Sequence, residues 1–585
     1  MPNAIDNAFR LSLTYPNPSL CQNNNTIEDG RRSDEHPLTK PEETVVAKNT
    51  TGRLSQGVLV TSLLSGLLFS SLDTSIAATS LVAISRELQD FGNAPWIVLA
   101  YLLTYMGFAI VISKLSDIYG RRNMLVLSWV LFTAFSLGCA SSRSMVALII
   151  CRGFQGIGAS GLYSLTQIGL VEVGPSHRPS LIGAMIGATL TIAFVLGPII
   201  GGVIVQFSDW RWLFNMNIPF GLIAMLAITN FWPPESAASM LSWKAFTKID
   251  FIGSITLLCS SGLLVFAIQQ AGSQTYAWNS PEIIIAITIS VLCWLLFIAW
   301  QILLESKTFS EIEPIFPIRL MQRRVYAAGL LVTVLTGFPY ISLAITIPEK
   351  LQIVDRQSVL MASVHLLPML GACATGSFLG GAISSKKNNT AYTIVAAACL
   401  QLFGVTLMSI IPSTVRATQY VFQIAFGLGV GLCFSAATIM TNLIAPEQRT
   451  RAAAQGAVAQ ARVLGGCVGI SVCTVVFNAH VNGSLRSQLS PEQLAQIHRS
   501  PISGLQFPTD KQEYVRSAYS GAFTEETRVM IVNCAVMVAA SLFTLERHPP
   551  SLEILTSLPK KQQSSNRNGD STTELDEITR MRQTA

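Results

Sequence analysis

Long apolar runs, separated by short polar segments, occupy the chain from about residue 57 to residue 545. Most of these runs are about 20 residues long, the length that an α-helix needs to cross the hydrocarbon core of a bilayer. Their order along the chain predicts about fourteen membrane-spanning helices, grouped as six, then two, then six. The predicted fold class is therefore all-α and integral to a membrane.

Polar segments flank and divide the apolar runs, and they set the predicted domain boundaries. No apolar region lies near the start of the chain, which argues against a cleaved signal peptide. The first and last segments are rich in polar and charged residues, a composition typical of disorder. The predicted units are a disordered N-terminal tail (1–54), a six-helix half (55–231), a linker with two extra helices (232–324), a second six-helix half (325–546) with an external loop at 478–525, and a disordered C-terminal tail (547–585).

Composition supports a membrane protein and excludes several other classes. Only 12% of the 585 residues are charged and the mean hydropathy is +0.47, whereas soluble domains carry roughly 25% charged residues. The net charge of +6 comes from basic residues scattered between apolar runs, which argues against nucleic-acid binding. The 11 cysteines are dispersed and there are only six histidines, so we expect no metal, no cofactor and no enzymatic site.

The run from Ser180 to Gln206 is uncharged but rich in glycine. Gly183 and Gly187, and likewise Gly197 and Gly201, stand four residues apart, a spacing that lets another helix approach closely. The run also contains Gly202 and Pro198, and a proline removes a backbone donor and favours a kink. The simpler interpretation is a packing motif. The sharper one is a close-packed helix about which two halves of a bundle rock.

Two charged residues lie within predicted membrane helices. Asp73 stands in the first run, and burying a carboxylate there is costly unless it is paired or protonated. Arg152 stands early in the fourth run, with Gln155 on the same helical face. The alternatives are an Asp73 that is hydrated at the membrane edge and an Arg152 that snorkels to the interface. Asn217 follows a tryptophan-rich segment and needs a polar partner in an apolar setting.

The predicted loop between the second and third helices reads SKLSDIYGRRNML, residues 113–125. Gly120 permits a tight turn, and Asp117 can accept hydrogen bonds from Arg121 or Arg122. A loop that serves only the positive-inside rule would explain the arginines but not the aspartate and glycine at this spacing. The segment is therefore a candidate latch for one conformation.

Together these motifs resemble the fourteen-helix drug:proton antiporters of the major facilitator superfamily, and in particular fungal toxin and multidrug efflux pumps. The resemblance rests on LDTSIA at Asp73, on D-x-x-G-R-R at Asp117, on R-x-x-Q-G at Arg152 and on GPIIGG at Gly197; Ser113 replaces the usual glycine of the loop motif. It implies two six-helix halves plus two linking helices. The roles that it implies are proton coupling for Asp73 and Arg152, a gating latch for Asp117, Gly120, Arg121 and Arg122, and an antiporter motif formed by Gly187, Gly197, Pro198, Gly201 and Gly202.

The second six helices repeat features of the first. Pro175 to Arg178 matches Pro446 to Arg449, Val195 to Gly201 matches Val463 to Gly469, and Gly156-x-Gly158 has a counterpart at Gly427-x-Gly429. Three matches in the same order indicate an internal duplication with a site between the halves. Pro198 corresponds to Gly466, and the only charge expected inside the second half is Arg462. Gln155, Asn217 and Arg462 are therefore candidates for the central cavity.

The distribution of basic residues predicts the orientation. With the N-terminus inside, the inner short loops hold about fourteen Lys and Arg residues and the outer ones about six. Both termini are then cytosolic, and the plasma membrane is the expected location, with the vacuolar membrane as the alternative. The sequon at Asn482 falls in the external loop, which makes it a candidate glycosylation site.

The resemblance therefore implies an exporter of small amphiphilic molecules that is driven by the proton gradient. Its expected partners are a small-molecule substrate, protons and the lipid bilayer, and it is expected to act as a monomer without nucleic acid. An importer of the same fold, for example of siderophores, is the nearest alternative. A non-transporting membrane sensor is a further one, although both tails are short for signalling extensions.

Overall fold

A computed structural model describes residues 53–174, 179–233, 250–305, 312, 314–384, 388–410, 416–445, 448–486, 488–499 and 507–546. Both predicted tails therefore lie almost entirely outside the described residues, as do the repeated segments at 175–178 and 446–447. The described part belongs to a single compact unit.

Eighteen helices account for almost all of the described chain, and its residues include no β-strand. The first half contains α1 (Arg53–Leu88), α2 (Trp96–Tyr119), α3 (Arg121–Ser141), α4 (Met145–Val173), α5 (Pro179–Phe207), α6 (Trp212–Asn215) and α7 (Asn217–Phe231). The linking pair is α8 (Phe251–Gly272) and α9 (Pro281–Glu305). The second half contains α10 (Ile318–Met321), α11 (Arg324–Ile353), α12 (Val359–Val364), α13 (Leu367–Ile383), α14 (Thr390–Ile410), α15 (Arg416–Ile444), α16 (Gln448–Leu485), α17 (Pro491–Arg499) and α18 (Thr509–Leu542).

Thirteen stretches of the described helices are long and apolar enough to cross a membrane. The fourteenth predicted segment lies in α18, which falls outside that set because charged residues interrupt it. The all-α membrane fold is therefore confirmed, with helices arranged as six, two and six.

The internal duplication is visible in the packing of the two halves. In the first half α4 packs against α2 and α3, and in the second half α15 packs against α13 and α14. Gly156 and Gly427 lie against the backbones of α2 and α13, while Gly158 and Gly429 lie against those of α3 and α14. A Cβ atom at any of the four would overlap those backbones, so the matching glycines serve matching helix contacts.

The two halves meet where α5 packs on α12 and α13, α2 packs on α16, and α1 packs on α11 and α12. Two side-chain amides cross this interface to backbone carbonyls. Gln352 Nε2 donates to the carbonyl oxygen of Thr79 at 3.4 Å, and Gln460 Nε2 donates to that of Met106 at 3.3 Å. The linking helices α8 and α9 pack on each other, and α8 contacts both α2 and α16.

Two features of the second half differ from the sequence prediction. The expected loop at 478–525 is largely helical, because α16 continues to Leu485, α17 follows, and α18 begins at Thr509. The prediction that the second half buries no acidic residue is also wrong. Glu526 is only 5% exposed and accepts a hydrogen bond from Thr346 Oγ1 at 3.0 Å. The hydropathy pattern missed it because the predicted run begins three residues later, at Val529.

Candidate functional site

Asp73 and Arg152 form a buried ion pair in the core of the first half. An Oδ2 atom of Asp73 accepts a hydrogen bond from Arg152 Nη1, and the two side chains are 3% and 0% exposed. Both alternatives left open by the sequence, a hydrated carboxylate and a snorkelling arginine, are excluded by this burial. Pairing offsets the cost of burying either charge alone.

Three polar side chains surround the pair, and with it they form what we call the Asp73 network: Asp73, Ser136, Arg152, Gln155 and Asn217. Gln155 Nε2 donates to Asp73 Oδ1 at 3.2 Å and to Ser136 Oγ at 2.8 Å. Asn217 Nδ2 donates to the same two acceptors, at 3.4 Å and 3.2 Å. Residues from α1, α3, α4 and α7 therefore meet around one carboxylate.

Aromatic rings and one carbonyl hold the guanidinium of Arg152. Its Nε donates to the Ile97 carbonyl at 2.9 Å, and its Cζ lies 4.2 Å from the centre of the Tyr101 ring. Tyr101 is itself fixed by a 2.8 Å hydrogen bond from its hydroxyl to the Ser70 carbonyl. Arg152 Nη2 has no hydrogen-bond partner among the described residues, and the guanidinium as a whole gains a cation–π contact with the Tyr101 ring.

The glycine-rich part of α5 packs closely on α1, one turn away from Asp73. Gly197 lies against Ser75, and Gly201 lies against Ile76 and Thr79. The outcome for Gly187 differs from the prediction: it is exposed, and no atom lies within 4 Å of a Cβ added there. The side-chain surroundings of Gly183 lie outside the described residues. Among the predicted motif residues whose surroundings are described, the closely packed glycines are therefore Gly197, Gly201 and Gly202, in the segment that also contains Pro198.

Gly202 makes a different contact from the other glycines of α5. A Cβ atom there would lie 2.8 Å from Leu360 Cα and 3.2 Å from Ser363 Cβ, both on α12 of the second half. Gly197 and Gly201 therefore pack on α1, the helix that carries Asp73, whereas Gly202 packs on α12 of the second half. Helix α5 thus connects the Asp73 network to the interface between the halves.

The second predicted cluster joins four helices at one end of the first half. The segment predicted as a loop is mostly helical, since only Gly120, with φ of 87°, separates α2 from α3. Arg121 pairs with Asp117 at 2.5 Å and with Glu172 on α4 at 3.2 Å. Arg122 Nη2 donates to the Thr229 carbonyl on α7 at 2.6 Å.

Two further candidates lie away from the Asp73 network. Arg462 is half-buried in the second half, with its guanidinium carbon 3.7 Å from the centre of the Phe434 ring. Asn482 lies in the last turns of α16 rather than in a loop, and its Nδ2 atom is buried. The folded chain therefore does not present this amide for glycosylation in the way that the sequence predicts.

Sequence reasoning missed Ser136, Tyr101 and Glu172, each of which completes a predicted cluster. Serine and tyrosine are common in apolar helices, and only the packing of α3 and α2 on α4 brings these two to the ion pair. Among the described residues, no group of three histidine, cysteine or acidic side chains is arranged to hold a metal.

Comparisons with known proteins agree on one family. The family model described as the Major Facilitator Superfamily matches residues 63–470. The MFS-type transporter FPY5 of Fusarium mangiferae is 36% identical over 502 residues, covering 84% of each chain. Multidrug resistance protein 3 of Bacillus subtilis is 30% identical and covers 74% of this chain and 82% of its own.

More distant matches point the same way. Efflux pump FUS6 of Gibberella fujikuroi is 28% identical over 418 residues, covering 70% of this chain and 73% of its own. Among solved structures, a bacterial homologue of the human lysosomal transporter Spinster aligns with a TM-score of 0.58 and 14% identity, over 84% of this chain and 98% of that one. This structural likeness supports the fold alone.

Proposed function

Because the chain belongs to the major facilitator superfamily, whose members are multi-pass membrane transporters and not enzymes, we propose that it exports small amphiphilic molecules in exchange for protons. The two halves rock around a central site to give access to each side of the membrane in turn. The observation that carries the proposal is the buried Asp73 network, in which one carboxylate connects four helices.

A proton is the ligand that this network is suited to take up. Protonation of Asp73 removes its negative charge, and the carboxylate then no longer balances Arg152. The hydrogen bonds from Gln155 and Asn217 to Asp73 weaken as well, because a carboxylate is a stronger acceptor than a carboxylic acid. One bound proton therefore loosens α1 from α3, α4 and α7 at the same time.

The contacts of α5 supply the route from this event to the other half. Ser75 lies two residues after Asp73, and its hydroxyl, which contacts Gly197, lies 3.3 Å from the Ala193 carbonyl on α5. A shift of this turn of α1 therefore displaces α5, which packs on α12 through Gly202. The cluster of Asp117, Arg121 and Arg122 acts as a latch at the end of the first half.

The proton gradient is sufficient for substantial export. One proton moving through a potential of ~100 mV releases about 2.3 kcal/mol, and a pH difference of ~1 unit adds about 1.4 kcal/mol. Together, ~3.7 kcal/mol supports a gradient of roughly 500-fold for a neutral substrate. The names of two relatives, a multidrug resistance protein and an efflux pump, favour outward transport.

The first test measures accumulation of ethidium and rhodamine 6G in cells that express the chain, with and without a protonophore. We expect lower accumulation than in control cells, and we expect the protonophore to abolish the difference. Higher accumulation would instead identify an importer. The proposed location is the plasma membrane with both termini cytosolic, and epitope tags at each end check that orientation by their accessibility before and after permeabilisation.

Asp73→Asn is the variant that tests proton coupling. The amide keeps the shape of the carboxylate but cannot exchange a proton, so we expect export to fall at least tenfold and to lose its pH dependence. Glu282→Gln, at an exposed carboxylate on α9, is the matched control and should export normally. Export by Asp73→Asn at full rate and with unchanged pH dependence would refute coupling through this residue.

A further inference from the structure

The guanidinium of Arg462, on α16, has no counter-ion among the described residues. Its Nε atom is buried and has no hydrogen-bond partner there, and no carboxylate forms an ion pair with it. The side chain as a whole is only half-buried, so part of it stays accessible to a ligand. An unpaired charge inside an apolar helix bundle is costly, which makes Arg462 a candidate for binding an anion.

The duplication shows that helix packing does not require an arginine at this position. Arg462 stands three residues before Gly465, as Phe194 stands three residues before Gly197. In the first half an uncharged phenylalanine therefore occupies the matching place on α5. The charge of Arg462 needs an explanation other than the fold.

Arg462 lies where the two halves face each other. Gln460, two residues earlier on α16, donates a hydrogen bond to the Met106 carbonyl on α2 of the first half. The guanidinium is also close enough to Tyr105 on α2 and to Tyr340 on α11 to interact with both electrostatically. Both halves therefore contribute to its surroundings, as expected for the central site between the repeats of a transporter.

Aromatic rings surround the guanidinium on both sides of this interface. Its Cζ lies 3.7 Å from the centre of the Phe434 ring, and that ring meets the Tyr340 ring edge-on, with 5.6 Å between the ring centres. In the first half the Tyr105 ring meets the Tyr163 ring edge-on, also with 5.6 Å between the centres. One cation and four aromatic rings therefore lie together where the halves meet.

The duplication also relates two of these rings to each other. Tyr163 follows Gly156 by seven residues, and Phe434 follows the matching Gly427 by seven. The two halves thus contribute aromatic rings at equivalent positions, whereas the guanidinium comes from the second half alone.

The other ionisable groups near Arg462 do not supply the missing negative charge. Four groups that interact with it electrostatically are Tyr105, Tyr340, Cys373 and Cys433. Phenols and thiols are mostly uncharged at neutral pH. The carboxylate of Asp73 is already held by Arg152.

The two glutamates inside the second half lie elsewhere along α16. Glu349 and Glu526 both interact electrostatically with Cys473, which is eleven residues beyond Arg462. That separation corresponds to about 16 Å along a helix. These carboxyl groups therefore do not act as the counter-ion of Arg462.

We propose that Arg462 binds the acid group of the exported molecule, so that the substrates include small flat organic acids. A guanidinium binds a carboxylate through two parallel N–H···O hydrogen bonds. The rings of Tyr105, Tyr163 and Phe434 offer stacking surface to the ring system that carries the carboxylate. This inference rests on the proposed function in one respect, since it takes the site between the halves to be the export site.

Isothermal titration calorimetry of the purified full-length chain in detergent tests the preference for an acid, with empty micelles as the blank. Three ligands, 2-naphthoate, 2-naphthamide and 2-naphthylmethylamine at pH 7, share one ring system and differ in charge. The fourth ligand, inorganic phosphate, has the charge but no ring. We expect 2-naphthoate to bind at least tenfold more tightly than each of the others, a ratio equivalent to ~1.4 kcal/mol.

Variants of Arg462 show whether this residue causes the preference. Arg462→Gln removes the charge and should weaken 2-naphthoate binding at least tenfold, while 2-naphthamide binding stays unchanged. Arg462→Lys keeps the charge and should retain part of the preference. Arg143→Gln, at an exposed arginine between α3 and α4, is the matched control and should bind as the parent does. Thermal unfolding of each variant checks that it is folded.

Export from cells separates this inference from the proposed function. Cells that express Arg462→Gln should lose export of 2-naphthoate but keep that of rhodamine 6G, a cation that gains nothing from an arginine. Selective binding of 2-naphthoate without export of either compound would refute the proposed function and leave the acid site standing. The inference is overturned if the naphthalene ligands bind alike, if none binds at millimolar concentration, or if Arg462→Gln binds 2-naphthoate as the parent does.

Discussion

Helices α4 and α15 occupy the same place in their respective halves, and their glycines pack on neighbouring backbones in the same way. Their polar residues nevertheless differ. Four residues before the first glycine, α4 has Arg152, which is paired with Asp73, whereas α15 has Gln423, which faces a cavity. The glycines determine how the helices pack, and single polar side chains determine which charges are buried. Helix packing and buried charge have therefore changed independently since the duplication.

The same contrast appears where α5 and α16 pack on their partner helices. In the first half Gly197 and Gly201 approach the hydroxyl groups of Ser75 and Thr79. In the second half Gly465 approaches the backbone carbonyl of Val334. A hydroxyl can rotate away from an added atom and a backbone carbonyl cannot, so Gly465 should tolerate an added Cβ less well than Gly197 does.

The largest expected effect comes from replacing Arg152 with glutamine, the residue that the second half has at the matching position, Gln423. Arg152→Gln leaves Asp73 as a buried carboxylate without its cation, which costs about 3–5 kcal/mol. We expect a markedly lower unfolding temperature in detergent and loss of export. The double variant Asp73→Asn with Arg152→Gln should regain most of the stability but no export. Wild-type stability of the single variant would show that the ion pair contributes little.

Alanine substitutions of intermediate effect should distinguish the glycine contacts of α5 from those of α16. Gly465→Ala places Cβ against the Val334 carbonyl and should destabilise the protein by about 1–3 kcal/mol. Gly197→Ala should cost less, since Ser75 can change rotamer, and Gly187→Ala should stay within about 0.5 kcal/mol because its surroundings are open. Thermal unfolding of the three purified variants gives the order of their stabilities. Equal losses for Gly187→Ala and Gly465→Ala would contradict the difference in packing.

The smallest effect is expected at the exposed end of the first half. Glu172 is 43% exposed in its ion pair with Arg121, so Glu172→Gln should change stability by less than about 1 kcal/mol. In ~1 M salt the difference from the parent should disappear, because screening then acts over about 3 Å. A larger loss that persists in high salt would show that this pair behaves like the buried one.

The sequence was sufficient to predict the helices and the duplication, and it singled out Asp73, Arg152 and Gln155 as candidates without predicting that they meet. Each of these follows from long apolar runs or from charges placed inside them, which are strong local signals. Ser136 and Tyr101 could not be predicted, because their position beside the ion pair depends on how α2 and α3 pack on α4. Hydropathy also hid Glu526, since the charged first half of α18, up to Arg528, reads as a loop.

A cavity in the second half, which Gln423 and Gln357 line, was missed for a related reason. Gln423 and Gln357 lie in different segments, and nothing in either segment marks an unsatisfied amide. Only the assembled walls show that both face one space. Arg462, which the sequence singled out as the buried charge of this half, is instead half-buried against Phe434.

Helix α18 differs from the thirteen membrane-spanning stretches because charged residues are frequent in its first part, from Asp510 to Arg528, and only the part from Val529 onward is free of them. Its buried side chains, Met530, Cys534 and Met537, belong to the core of the second half, and the helix packs on α11, α14 and α16. We therefore expect this last segment to insert into the bilayer less readily on its own than the thirteen stretches do. We expect its entry to depend on docking against helices that are already in place, so that the final step of biogenesis would also check that the second half has assembled.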